Sequence, residues 1–440
     1  MADQSAELLE KLRQQFDAAP YPKIPLEQTS GGDVNFLHLH DLMVPHYMRS
    51  QRIVQPTGKL ILDAGCGSGF KALVLAEANP GAKVVGVDLS QASVNLARER
   101  LKHHGFENVE FHCLTIEELP SLGLEFDYIN CDEVLYLLPD PVIGLKAMKS
   151  VLKQDGIIRA NFHHSSARST MHQMQEFFTR MGLMEDSPDA EQLSAVRDIM
   201  KGLSDGVLAK ARTWGKSHET DDDLLLANHL LRGDKSINVL ELFDLLRATD
   251  LEFISLVNWW QWDLTQLFEN FNDLPVEIAF TLANKSVEEQ LHLFALLHPN
   301  HRLIDLWCGH PGQAHPYALA ENWTEAQWRQ AKVHLYPQLK VEKFEKELIS
   351  AIDNSEFFEI SKFLQKTNSP IKLDSLISSC LLQLMGGPRS VEAIAQHWKK
   401  LRPLNLVTLE PTTDAEAFDV IQTHLIAFER QGYVLLELVD

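Results

Sequence analysis

The chain has 440 residues, with 40 Lys+Arg against 61 Asp+Glu and a formal net charge of −21. Hydrophobic residues at 45% and charged residues at 23% are ordinary globular values, which exclude a disordered chain, and the length suggests two or three domains. No apolar run approaches the roughly 20 residues of a bilayer span, so no membrane is expected; nor is a nucleic-acid partner, because acidity prevails throughout: 15 basic against 21 acidic residues in 1–165, 10 against 16 in 166–262 and 15 against 24 in 263–440.

The first residues lack the basic and apolar regions of a signal peptide, and a cytoplasmic location is expected. Five cysteines, Cys66, Cys113, Cys131, Cys308 and Cys380, are odd in number, widely spaced and without a CxxC pair, so they read as free thiols. Leu8, Leu9, Leu12 and Phe16 recur at helical spacing and predict a helix over 1–18. Pro20, Pro22 and Pro25 then forbid continuation and predict an extended arm, making 1–44 an N-terminal segment.

Within 45–262 the pattern alternates. Strands are predicted at Lys59–Ala64, Lys83–Leu89, Val109–Leu114, Phe126–Cys131 and Gly156–Phe162, with helices over 69–78, 90–104 and 142–153. Such repetition means parallel βαβ units, whose sheets bind ligands outside the carboxyl ends of the strands. Residues 165–235 are polar and helical in pattern and read as an insertion at that edge; a further helix at Ile237–Thr249 and a last strand at Leu251–Val257 follow. Residues 263–440 read as a mainly helical C-terminal domain, ending in a winged-helix-like α+β unit over about 370–440. The fold class is therefore α/β, Rossmann-like, with a helical insertion and a mainly helical tail.

The strongest motif is Ile61-Leu-Asp-Ala-Gly-Cys-Gly-Ser-Gly69, directly after a strand and opening a helix. Glycines at alternate positions permit positive φ and close approach of a ligand, and the helix start offers free N–H groups. Asp88 ends the second strand, where a carboxylate accepts both hydroxyls of a ribose. Asp63, ahead of the glycines, argues for a cationic amino group nearby rather than a pyrophosphate.

Leu62–Gly69 with Gly86–Ser90 resembles the glycine-rich and acidic ribose loops of class I S-adenosylmethionine-dependent methyltransferases. Phe126–Asp140 is similar to that family's fourth strand and following turn, and Leu145–Ile158 to its next helix and fifth strand. The resemblance implies S-adenosylmethionine as cofactor, with Gly65, Cys66, Gly67 and Gly69 along its methionine and ribose, and Asp63 near its amino group. It further implies Asp88 on the ribose, Leu89, Thr115 and Ile116 at the adenine, and Cys131 and Asp132 flanking the methyl-donor end. The arm Gln15–Pro22 and the stretch His163–Arg168 resemble a narrower bacterial and cyanobacterial subgroup with a Pro-Tyr-Pro arm; Tyr21 is a candidate lid over the cofactor, the alternative being proline-rich surface packing.

Methyl transfer chiefly requires alignment and, for some acceptors, removal of a proton. Asp132, Glu133, Tyr136, His163 and His164 lie at the predicted ligand edge, with a histidine the natural base near neutral pH and Tyr136 a candidate for orienting substrate. Trp259, Trp260 and Trp262 form either an aromatic substrate wall or an interdomain core. His298, His301, Cys308, His310 and His315 match no standard zinc spacing, and no metal is expected. Three functions stay open: a methyltransferase acting on a protein substrate, a small-molecule methyltransferase with 165–235 as a lid, and a binding protein on a methyltransferase fold.

Overall fold

The computed structural model describes residues 2–184, 188–314, 319–364 and 370–438. Eight strands share one sheet: β1 (Leu60–Ala64), β2 (Lys83–Asp88), β3 (Val109–Cys113), β4 (Phe126–Cys131), β5 (Leu152–His164), β6 (Ser236–Ile237), β7 (Glu252–Leu256) and β8 (Leu303–Gly309). Their order is β3-β2-β1-β4-β5-β8-β7, with β6 paired to the end of β5. Strands β1 to β6 pair in parallel, whereas β8 runs antiparallel to both β5 and β7.

This corrects two expectations. The sheet does not close at residue 262, because Leu303–Gly309 slots between β5 and the edge strand β7. The run Leu303-Ile-Asp-Leu-Trp-Cys-Gly309 is short, apolar and buried along most of its length, as a central strand must be. The terminal unit also starts earlier than 370. Its three-stranded sheet is centred on β9 (Ala331–Leu335), flanked antiparallel by β12 (Arg389–Ser390) and β13 (Val434–Leu438). Between them, β10 (Phe358–Glu359) and β11 (Lys372–Leu373) make a small hairpin pair.

Successive strand residues serve opposite faces. Ile61, Val84, Tyr128 and Trp307 pack with the helices Phe70–Ala78 and Gln91–His103. Leu62, Val85, Ile129 and Leu306 pack with the helices Pro141–Ser150 and Val239–Thr249. The terminal unit is docked through polar contacts of the segment 34–50: His38 Nδ1 lies 2.8 Å from Tyr336 Oη, and Tyr47 Oη donates to Glu429 while accepting from the Leu436 amide at 3.0 Å. Gln338 donates to the Ala78 carbonyl at 3.0 Å. Residues 165–235 carry helices Ser165–Arg180, Ala190–Gly202, Leu208–Thr213 and Asp222–Leu226, with a small core of their own around Phe178, Val196 and Met200.

Trp307 sits in the middle of β8, fully buried, its indole N–H donating to Tyr128 Oη at 3.3 Å. Trp307→Ala is expected to cost on the order of 3–5 kcal/mol, read as a lowered urea midpoint. A loss below about 1 kcal/mol would contradict its place in the sheet core.

Candidate functional site

The loop after β1 is shaped by what approaches it. Gly67 has φ 50°, and a Cβ there would stand 2.3 Å from the Tyr21 carbonyl oxygen. Gly69, at φ 81°, meets Ala97 of the helix Gln91–His103 in the same way, with 2.5 Å to its Cα. The N-terminal arm thus lies directly on the glycine loop. It is held there by the Ser68 amide donating to Tyr21 O at 2.9 Å and the Ser68 hydroxyl donating to Pro22 O at 2.8 Å. The buried Arg100 guanidinium donates to the carbonyls of Ser68, Ile24 and Pro25 at 3.0, 2.7 and 2.7 Å.

Beneath the arm and the helix Ala2–Ala18 is a cavity of about 320 Å³. Its walls include Gly65, Cys66, Gly67, Asp88, Leu89, Thr115, Ile116, Asp132 and Tyr21. Asp63, Gly69 and Cys131 are not in its walls. Gly69 is spent on helix packing, Cys131 is fully buried in β4, and Asp63 lies behind the loop, accepting from Asn130 Nδ2 at 2.9 Å. Asp88 accepts one backbone N–H on each carboxylate oxygen, from Gly67 and Ser90, both at 2.9 Å. Burial raises its pKa against those two bonds.

A second cavity of about 1160 Å³ lies beyond, between the arm and the insertion, with Tyr136, Arg168, Arg212, Trp214, His218 and Arg302 in its walls. Phe16, Tyr21, Glu133 and Leu137 line both cavities and mark where they meet.

The catalytic candidates separate here. His163 and His164 are corrected, since both rings are buried and neither lines either cavity. His163 Nδ1 faces Asp234 at 2.5 Å and Nε2 faces Arg302 at 3.0 Å, leaving it no free lone pair; burial, ahead of the opposing Asp234, lowers its pKa. His164 is also lowered by burial, and its Nδ1 has no partner among the described residues. Asp132 is at the cavity, but it is tied to Lys71 Nζ and Asn161 Nδ2, each at 2.6 Å. Burial alone would raise its pKa; Lys71 and Arg159 hold it well below the usual carboxylate range. Tyr136 reaches the large cavity while stacking on His163 at 4.0 Å, and burial pushes its hydroxyl well above 10.

Thr115 is capped, donating its hydroxyl to Glu118 at 3.1 Å. The neighbouring Glu117 lines the small cavity with a buried Oε2 that has no partner among the described residues. The tryptophan turn lines neither cavity; Trp262 stacks on His301 at 4.6 Å, and Trp259 meets Trp260 edge-on at 4.7 Å. Among the described residues no three His, Cys, Asp or Glu gather to hold a metal, and His315 lies outside the described residues.

Sequence reasoning missed Arg302 and Glu117. An antiparallel strand begins where its parallel neighbours end, so recognising Leu303–Gly309 as a sheet strand would have put Arg302 at the ligand edge. Glu117 had a signal in its acid one residue past Ile116.

A family model described as a methyltransferase domain matches residues 57–216. An uncharacterized protein of Synechococcus sp. is 33% identical over 163 residues, 37% of this chain and 38% of that protein. The ubiquinone biosynthesis O-methyltransferase of Acinetobacter baylyi is 35% identical over 100 residues, 22% of this chain and 41% of the enzyme. The chain therefore spans about two fifths of the length of these curated relatives. Among solved structures, PKMT2 from Rickettsia typhi in complex with AdoHcy shares the fold over 96% of this chain and 78% of that one, with TM-score 0.62 and 17% identity. Residues 57–216 thus resemble a methyltransferase domain in sequence, and the chain shares the fold of the Rickettsia protein.

Burial, against the opposing Asn130 bond, raises the Asp63 pKa from 3.8 to about 7. The folded chain then keeps a proton that the unfolded chain releases above about pH 4, so stability falls as pH rises from about 4 to 7, by on the order of 2–4 kcal/mol. Asp63→Asn does not titrate; its thermal midpoint relative to wild type is expected to be higher at pH 8 than at pH 5. A pH-independent difference would contradict the assignment.

Proposed function

We propose that the chain is an S-adenosylmethionine-dependent methyltransferase whose acceptor is a protein side chain. The observation that carries this reading is the pair of cavities meeting at Phe16, Tyr21, Glu133 and Leu137, one on the glycine loop and Asp88, the other beside the insertion. The smaller lies within the roughly 300–1,000 Å³ range of small-molecule sites. Its residues fit the cofactor. Each Asp88 oxygen retains acceptor capacity after its backbone bond, which suits two ribose hydroxyls. The unpartnered Oε2 of Glu117 suits the adenine amine beside Leu89 and Ile116, in place of the Thr115 hydroxyl. Asp63 Oδ2, without a partner among the described residues, offers a carboxyl oxygen behind the loop that a cationic amino group would suit.

When bound, the cofactor supplies an electrophilic methyl group. The chain's part is alignment and exclusion of water: Tyr21, set by the strap from Ser68 and Arg100, forms the partition between cofactor and acceptor. The larger cavity exceeds the usual small-molecule range, and the exposed Lys23 and Arg212 in its walls suit a macromolecule carrying one inserted side chain. A second reading, a metabolite acceptor with 165–235 as lid, is favoured by one observation. The cavity is walled by the insertion, and none of the residues lining it comes from 320–438.

Asp88→Ala is expected to weaken S-adenosylmethionine binding by about tenfold or more in calorimetric titration; an unchanged affinity would remove Asp88 from the site. Incubation of the protein with the tritiated donor and a cell lysate is expected to place label in the protein fraction, whereas label confined to low-mass products would replace the protein acceptor with a metabolite.

A further inference from the structure

Of the four residues shared by the two cavities, Glu133 alone carries a charge. Its backbone is left-handed, φ 61°, a conformation that a glutamate adopts only where its surroundings impose it and that concentrates at functional sites. The imposing contacts are visible. The Glu133 amide donates to Asn161 Oδ1 at 2.7 Å, and Asn161 is itself fixed by donating to Asp132 at 2.6 Å. The Glu133 carboxylate is paired with the Arg302 guanidinium.

That pair is the end of a ladder. Arg302 Nη1 donates to His163 Nε2 at 3.0 Å, which requires the proton of this histidine to be on Nδ1, and Nδ1–H donates to Asp234 at 2.5 Å. Asp234, its side chain fully buried, also accepts from Arg168 Nη2 at 2.6 Å and Gln175 Nε2 at 3.0 Å, both in the first helix of the insertion. Of the neighbouring carboxylate and imidazole, Asp132 is held by Lys71 and Asn161 and lines the small cavity alone, and His163 belongs to the ladder and lines neither. Glu133 remains as the carboxylate in contact with both spaces.

We infer that Glu133 is the catalytic residue that faces the methyl acceptor, that the acceptor is a nitrogen or oxygen nucleophile bearing a hydrogen, and that Arg302, His163 and Asp234 are its positioning residues. This rests on the methyltransferase reading above. In the transfer, the acceptor's lone pair forms the bond to the methyl carbon as the carbon–sulfur pair returns to sulfur. The hydrogen leaves the acceptor as a proton and bonds to a Glu133 carboxylate oxygen. An acceptor without such a hydrogen would need no carboxylate here.

The test reads binding rather than turnover, with two probes titrated calorimetrically into the full chain at pH 7.5. S-adenosylhomocysteine has no group at the methyl position; sinefungin has a protonated amine there. Wild type is expected to prefer sinefungin. Glu133→Gln is expected to weaken sinefungin about tenfold while S-adenosylhomocysteine stays within about twofold, which also reports an intact fold. Arg302→Met is expected to reduce the preference about threefold, and Arg302→Lys to restore part of it, as a positioning role requires. An unchanged ratio in Glu133→Gln, or equal weakening of both probes, overturns the assignment. Wild type binding neither probe overturns the cofactor reading, and this inference with it.

Discussion

The site depends on one buried cation. Arg100 reaches from the helix Gln91–His103 through the core and donates to three backbone carbonyls, one in the glycine loop and two in the N-terminal arm. A guanidinium's rigid fork is suited to such a junction, and hydrogen bonds to a charged donor in a dry interior are each stronger than their neutral counterparts. Beside this strap, Ser68 and His104 also hold carbonyls of the arm. These contacts hold the wall that Tyr21 provides to both cavities, since the same residue closes one and borders the other. The glycine at 67 serves this contact as much as any ligand, because a side chain there would collide with the arm's backbone.

A second constraint sets the chemistry at the sheet edge. Buried charges need partners, and here they form a chain: Lys71 on Asp132, Arg159 on Asp305 at 2.6 Å, and Arg159 on Asn130 at 3.0 Å. Asp305 belongs to β8, so the antiparallel strand closes the sheet and also supplies the counter-charge for an arginine of β5. This network immobilises Asp132 as a fixed anion at the end of β4 and leaves its neighbour Glu133, turned the other way by its left-handed backbone, to face the open space.

The parallel half of the sheet and the glycine loop were legible because each is local. Asp63, Gly65, Gly67 and Asp88 fall within adjacent strand ends, and the strand-to-helix spacing is short. Strand β8 was illegible for the opposite reason. Its apolar run can form a strand anywhere, and only tertiary pairing across a long helical excursion assigns it to β5 and β7. The misplacement of His163 has the same origin. Residue type and strand end were read correctly, but the partner that occupies its ring, Asp234, lies 71 positions away. Thr115 shows the limit of residue-by-residue transfer, because its hydroxyl is satisfied within its own turn while Glu117, also in the cavity wall, keeps a buried oxygen with no partner among the described residues.

These elements make one claim, that cofactor and acceptor meet at a partition built from the arm and the end of β4. A crystal structure of the chain with S-adenosylhomocysteine tests it most directly. The account predicts the ribose on Asp88 and the sulfur turned toward Phe16, Tyr21, Glu133 and Leu137, with the larger cavity vacant for the acceptor. A ligand lodged in the larger cavity, or a sulfur directed away from Glu133, would contradict it.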